Sequence, residues 1–276
     1  MLLSLFFSAF VASAVVATPI NSTNTTFIGP EHGYLVIVGS NLQSDSIWQR
    51  IIDLAGGPDA PQVVVPQLAE NQATTRVSLL HTYDPTVADT DEFIAPMLEA
   101  EGIFFGGGRQ WRLVDAYAGT KTELVFQAVL DRGDVISGSS AGASIIRSFL
   151  ARGDTANNQI MIGDHTVGFG YLKNTAIDQH VLIRNRHFDM FDILREYPEL
   201  LGLAVDEDTA LIVHQNEAEV FGSTYALIYD GGFWSREGSD LKKLPREKFY
   251  FLKPGDKYAL SARKVISPAT TSGDEA

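Results

Sequence analysis

Cysteine is missing from all 276 residues. Its absence removes thiolate nucleophiles, Cys-ligated metal sites and disulfides from consideration. A chain of this length can do without such staples, because its 45% hydrophobic residues are enough for a sizeable core. Cationic side chains are scarce: 21 Lys and Arg face 34 Asp and Glu, for a formal net charge of −13. The summed field repels a phosphate backbone, so nucleic acid is not an expected partner; it would favour a cationic substrate, although an acidic surface also serves solubility alone. The Gly-rich stretch GGGRQW lacks the GxGxxG spacing of a dinucleotide site, and there is no GK[ST] for a P-loop and no HExxH for zinc. No metal or organic cofactor is expected. Beyond the first residues no apolar run is long enough to span a bilayer, so the mature protein is expected to be soluble, with no membrane partner.

The N-terminal stretch MLLSLFFSAFVASAVVATPI is uncharged from Leu2 to Ala17. It is short for a membrane span and suited to a secretory h-region, with small residues ahead of a cut after Ala17 or Ala14. An uncleaved anchor is the competing reading, but no basic flank follows the run. NSTNTT then supplies two glycosylation sequons, at Asn21 and Asn24. The expected organisation is a signal peptide over 1–17, a polar glycosylated leader over 18–29, one α/β domain over 30–268 and a disordered tail over 269–276. The expected location is secreted.

Within the domain, GYLVIVGS, PQVVVPQL, GIFFGG and DVISG read as strands buried on both faces. Between them lie the helical patterns SIWQRIIDLAGG, EFIAPMLEAE and RLVDAYAGTKTELVFQAVLDRG. Strands alternating with helices predict a doubly wound, mostly parallel sheet with helices on both faces. Past residue 150 the pattern loosens. RHFDMFDILREYPEL predicts a helix, TALIVHQNEAEVFGSTYALIYD successive short strands, and KFYFLKPGDKYAL one more strand pair around Pro254 and Gly255.

DVISGSSAGASII carries the chemistry. Gly138, Ser140 and Gly142 have the GxSxG spacing that exposes a nucleophilic serine where a strand turns sharply into a helix. Glycine on both sides relieves crowding at that corner, and the amide of Ala141 lies where an oxyanion would form. A plain Gly/Ser turn is the bland alternative; Ser139 lacks a glycine on its C-terminal side and is the weaker candidate. FFGGGRQ, one βα unit earlier, can lend a second amide from Gly107 or Gly108. The base must come from His32, His81, His165, His180, His187 or His214. His180 stands out, because AIDQHVLIRNR ends an apolar segment in polar and cationic groups without evident structural purpose; His187, among helix-like neighbours, reads as packing.

The blocks GYLVIVGS, AGGPDAPQVVVP, FFGGGRQ, GSSAGA, DQHVLIRNR and GLAVDEDTALIV, in this order over roughly residues 33 to 230, resemble the cyanophycinase and aspartyl dipeptidase family of serine peptidases, peptidase family S51. The resemblance implies a sheet like that of class I glutamine amidotransferases and cleavage next to aspartyl residues. It implies Ser140 as nucleophile, His180 as general base and Glu207 as the acid orienting the imidazole, with Asp206 and Asp208 in the same DEDT run as alternatives. Gly108 and Ala141 would form the oxyanion hole. Gln110, Asp178, Gln179, Arg184 and Arg186 would contact substrate, the two arginines by pairing with a carboxylate. Three positions depart from the family pattern: Gly106 where a hydroxyl is common, Arg109 where an acid or amide is usual, and Asp189 where another basic residue is expected. The expected partners are a peptide or aspartyl-polymer substrate and a second copy of the chain. Two other readings stand beside this one. A secreted binding or effector protein could keep the sheet and lose catalysis. An esterase of the α/β-hydrolase kind shares the elbow, but needs a histidine near the C-terminus, and none follows His214.

Overall fold

The structure, a computed structural model, describes residues 26–65, 76–239 and 247–268. The signal peptide, both sequons and the tail expected from the sequence lie outside the described residues. Ile28 and Gly29 are already tied to the domain: Ile28 N donates to Asn216 Oδ1, Lys173 N to Ile28 O and Gly29 N to Gln215 O.

The chain runs β1 (Tyr34–Val38), α1 (Asp45–Leu54), β2 (Gln62–Val65), β3 (Val77–Leu79), α2 (Pro85–Ala88), α3 (Asp91–Ile94), β4 (Gly102–Phe105), α4 (Gln110–Tyr117), α5 (Lys121–Asp131), β5 (Val135–Ser139) and α6 (Ala141–Ile145). It continues with β6 (Arg147–Phe149), β7 (Leu172–Gln179), α7 (Met190–Glu196), β8 (Leu201–Val205), β9 (Thr209–His214), β10 (Glu217–Gly222), β11 (Ala226–Tyr229), β12 (Tyr250–Leu252), β13 (Lys257–Ala259) and β14 (Lys264–Ser267). Two sheets form. The larger has the order β14-β13-β10-β9-β1-β5-β4-β2-β3, in which β1, β5, β4, β2 and β3 are mutually parallel. The smaller has the order β12-β11-β8-β7-β6, with β6, β7 and β8 parallel.

Alternation along each strand explains the layering. In β1, Val36 and Val38 pack with Ile47 and Ile51 of α1, while Leu35 and Ile37 pack in the opposite layer with Phe126 and Val129 of α5. The second layer also takes in Ile177, Leu203 and Ile228 of the smaller sheet, whose far face packs against Met190 and Ile193 of α7. Burying each such side chain contributes on the order of 1.5–3 kcal/mol, and a sheet apolar on both faces requires cover on both. The fold is α/β and doubly wound.

Three details differ from the sequence expectation, each for a local reason. EFIAPMLEAE is not one helix: α3 ends at Ile94 and a single 3-10 turn over Ala95–Met97 follows, because Pro96 has no N–H to continue the ladder. The long segment before β5 splits into α4 and α5 at Gly119, which takes a φ of +75°. The strands flanking Pro254 and Gly255 do not pair with each other. β12 joins β11 in the smaller sheet and β13 joins β10 in the larger, because the turn between them is held across the gap, with Gly255 N on Val220 O and the buried Asp256 carboxylate on Arg236.

Candidate active site

Ser140 occupies the corner between β5 and α6 with φ 55° and ψ −112°, a region costly for any side chain-bearing residue. The flanking glycines are sterically required. A Cβ on Gly138 would lie 2.5 Å from the backbone of Gly142, and one on Gly142 would lie 2.0 Å from Phe105 O. Ser139 remains in β5, in register with Val38, and is off the corner. The β1 and β5 strands are neighbours whose following helices pack on opposite faces of the sheet, so their C-terminal ends open a crevice at a topological switch point.

The histidine comes from the other sheet. His180 follows β7 directly, with φ 56°, and its Nε2 lies 3.0 Å from Ser140 Oγ. Its Nδ1 lies 2.7 Å from Glu207 Oε1. With Glu207 as acceptor, the hydrogen sits on Nδ1 and leaves Nε2 to accept from the serine hydroxyl. Glu207 lies in the turn that carries the chain from β8 of the smaller sheet to β9 of the larger. The three consecutive acids have three separate tasks. Asp206 accepts from the amides of Leu182 and Ile183 and so holds the turn after His180. Glu207 meets the imidazole. Asp208 accepts from the amides of Gln43 and Ser44 and the Ser44 hydroxyl, fastening the loop that starts α1.

The other histidines are elsewhere. His165 bridges Asp115 and Asp164, His214 stacks on Tyr34, His187 packs against Phe188 and Phe249, and His81 meets the edge of Tyr83.

Burial lowers the His180 pKa below its ordinary 6.5; Glu207 opposes that shift, and the guanidinium groups of Arg184 and Arg186 add to it. The imidazole is therefore unprotonated at a lower pH than a free one. Arg184→Gln removes a nearby cation, stabilises the imidazolium and should move the acid limb of kcat/KM to higher pH. A profile of that variant that is unshifted, or shifted downward, contradicts the assignment of that limb to His180.

Of the five side chains expected at the substrate, three turn inward. Gln110 is buried and its Nε2 donates to Ala151 O. Gln179 is buried, with Nε2 on Ser144 Oγ. Asp178 is 1% exposed and both its oxygens are taken by Arg152, through Nε and Nη2 at 2.7 Å each. All three are buried and engaged within the protein. Arg184 is exposed and Arg186, which donates to Gln179, is half-buried, and both guanidinium groups are close enough to His180 to act on its charge. Gly108 is exposed, with φ 142°, and Gly107 is close enough that a Cβ there would lie 3.5 Å from Ser140 Cβ. Ala141 is buried at the first position of α6.

The positions that depart from the family pattern are occupied in a consistent way. Arg109 Nη2 donates to Asp154 O, and Asp189 accepts from Arg152, so both anchor the loop that follows β6. Gly106 simply extends the ladder, with its amide on Val65 O. Arg152 is not among the residues the sequence marks; its φ of 58° and near-complete burial emerge only in the fold.

The model of peptidase family S51 matches residues 65–221, more than half of the chain. Among curated proteins the chain is similar to a cyanophycinase of Geminocystis herdmanii, 26% identical over 251 residues that cover 81% of this chain and 92% of that one. It is also similar to a cyanophycinase of Synechococcus elongatus, 28% identical over 235 residues that cover 77% and 72%. Among solved structures, a peptidase from an acI-B1 Actinobacterium shares the fold with a TM-score of 0.60 at 20% identity, covering 84% of this chain and 98% of that one.

Proposed function

Because this chain belongs to peptidase family S51 and is a serine-type peptidase, we propose that Ser140 is its nucleophile, His180 its general base and Glu207 the acid that orients the imidazole. The observation that carries this reading is the unbroken line of hydrogen bonds from Ser140 Oγ through His180 to Glu207 Oε1. As Oγ attacks the carbonyl carbon, its proton passes to Nε2, and the imidazolium that forms is stabilised by Glu207. The amides of Ala141 and Gly108 receive the charge developing on the carbonyl oxygen. The imidazolium then returns its proton to the departing amine. An acyl-enzyme on Ser140 remains, and a water deprotonated by the same histidine hydrolyses it.

The substrate is an aspartyl-containing peptide or isopeptide. Arg184 and Arg186, next to the imidazole, suit a carboxylate close to the scissile bond, and the similarity to cyanophycinases points the same way. The enzyme acts outside the cell, a reading supported by the uncharged run from Leu2 to Ala17 and the sequons that follow it.

A fluorophosphonate probe tests the mechanism without knowledge of the peptide. Labelling should occur in the native protein and vanish in both Ser140→Ala and His180→Ala. Undiminished labelling of His180→Ala removes the proposed base. A panel of α-aspartyl, β-aspartyl and asparaginyl peptides then tests the substrate: cleavage of the asparaginyl control as fast as the others rules out carboxylate recognition.

A further inference from the structure

We propose that Asn41 is a positioning residue of the catalytic machinery, whose side-chain amide holds the Glu207 carboxylate in the plane that orients His180. The inference rests on the Ser140, His180 and Glu207 reading. Asn41 lies on the loop leaving β1, outside the residues matched by the family model.

Glu207 needs such a partner. Its Oε1 is committed to His180, its side chain is 23% exposed, and glutamate has one more rotatable bond than aspartate through which the carboxylate can turn away. Among the described residues, the donor to Oε2 is Asn41 Nδ2 at 3.0 Å. The Asn41 amide is itself oriented, because its Oδ1 accepts from Gln43 Nε2 at 2.7 Å. A polar line therefore runs from Gln43 through Asn41, Glu207 and His180 to Ser140.

The backbone is arranged to deliver this contact. A Cβ on Gly39 would lie 2.0 Å from Asp206 O, so β1 leaves the sheet pressed against the turn that carries Glu207. Asn41 then takes φ 43°, in the left-handed region that asparagine tolerates. The loop is bound to that turn on both sides of Asn41. Asp208 N donates to Ser40 O at 2.9 Å, and Asp208 Oδ1 accepts from Gln43 N at 2.9 Å and Ser44 N at 2.7 Å. These bonds hold the strained residue within reach of Oε2.

Asparagine at positive φ also occurs as a mere turn former, and glycine would fill that role equally well. Asn41→Gly therefore separates the two roles, with the rate of fluorophosphonate capture as readout. Loss of a hydrogen bond to a charged group should slow the maximal capture rate roughly ten- to hundred-fold, leaving the probe's affinity and the melting temperature unchanged. Asn41→Asp places a second carboxylate beside Glu207 and should move the acid limb of the capture rate to higher pH, which a turn former would not do. Combined with Glu207→Ala, Asn41→Gly should cost nothing further, since the residue acts through Glu207. Native capture by Asn41→Gly beside a slow Glu207→Ala, or losses that multiply in the double variant, overturns the inference alone. Native capture by Glu207→Ala overturns the underlying triad and this inference with it.

Discussion

Ser140→Ala should lower kcat for peptide hydrolysis by roughly four to six orders of magnitude, with the folded state intact. The size of the loss follows from the geometry. The imidazole is aimed at one hydroxyl, 3.0 Å away, and has no other described hydroxyl to activate. What remains is background hydrolysis assisted by the oxyanion amides. The fold should survive because alanine tolerates φ 55° no worse than serine, and Gly138 and Gly142, which make the corner possible, are untouched. Ser139→Ala, off the corner, is the matched control and should keep most activity. Turnover by Ser140→Ala within tenfold of the native rate would discard the mechanism, whatever its melting temperature.

Asp178→Leu should destabilise the protein by about 3–5 kcal/mol, the usual cost of removing one member of a buried ion pair. Its carboxylate is the buried counter-charge to Arg152, which is 2% exposed and is also reached by Asp189. A second buried guanidinium, Arg147, lies close enough to Asp178 for its pKa to be raised by it, although burial pulls that pKa down to about 9. Without Asp178, Arg152 keeps the partly exposed Asp189 as its remaining anion among the described residues, beside the carbonyl of Asn158, and Arg147 loses its compensating field. The double variant Arg152→Met with Asp178→Leu removes the pair together and should recover part of the loss, since two charges need no longer be desolvated. Chemical denaturation of the three proteins reads this directly. A single variant within 1 kcal/mol of native would show that Asp178 is not the structural anion. Loss of substrate affinity in a fully stable Asp178→Leu would return that residue to the substrate-facing role implied by the family resemblance.

Much of the fold is legible along the chain because its signals are local. The runs around Val36, Val64, Phe104 and Ile136 are strands wherever they are placed, since β-branched and aromatic residues buried on both faces have few alternatives. The crowding at the Ser140 corner is equally local, and two glycines announce it. The partition into two sheets is not local. YFLKPGDKY reads as a hairpin, and only the bond from Gly255 to Val220 and the burial of Asp256 send its strands to different sheets. Likewise residue type alone does not rank the three acids of DEDT, among which the family resemblance favours Glu207, because the contact each makes depends on which backbone it faces after the turn is made.

The sequence by itself determined the strand and helix alternation, the glycine-flanked serine, the lack of any thiol and the strongly acidic balance, all properties of residue type and short-range spacing. Tertiary structure alone decided that the serine of one sheet meets the histidine of another, that Glu207 rather than its neighbours reaches the ring, and that Asn41 stands behind it. The reason is physical: hydrogen-bond partners 27 to 166 positions apart are selected by how two sheets pack, and packing is settled by the whole core at once.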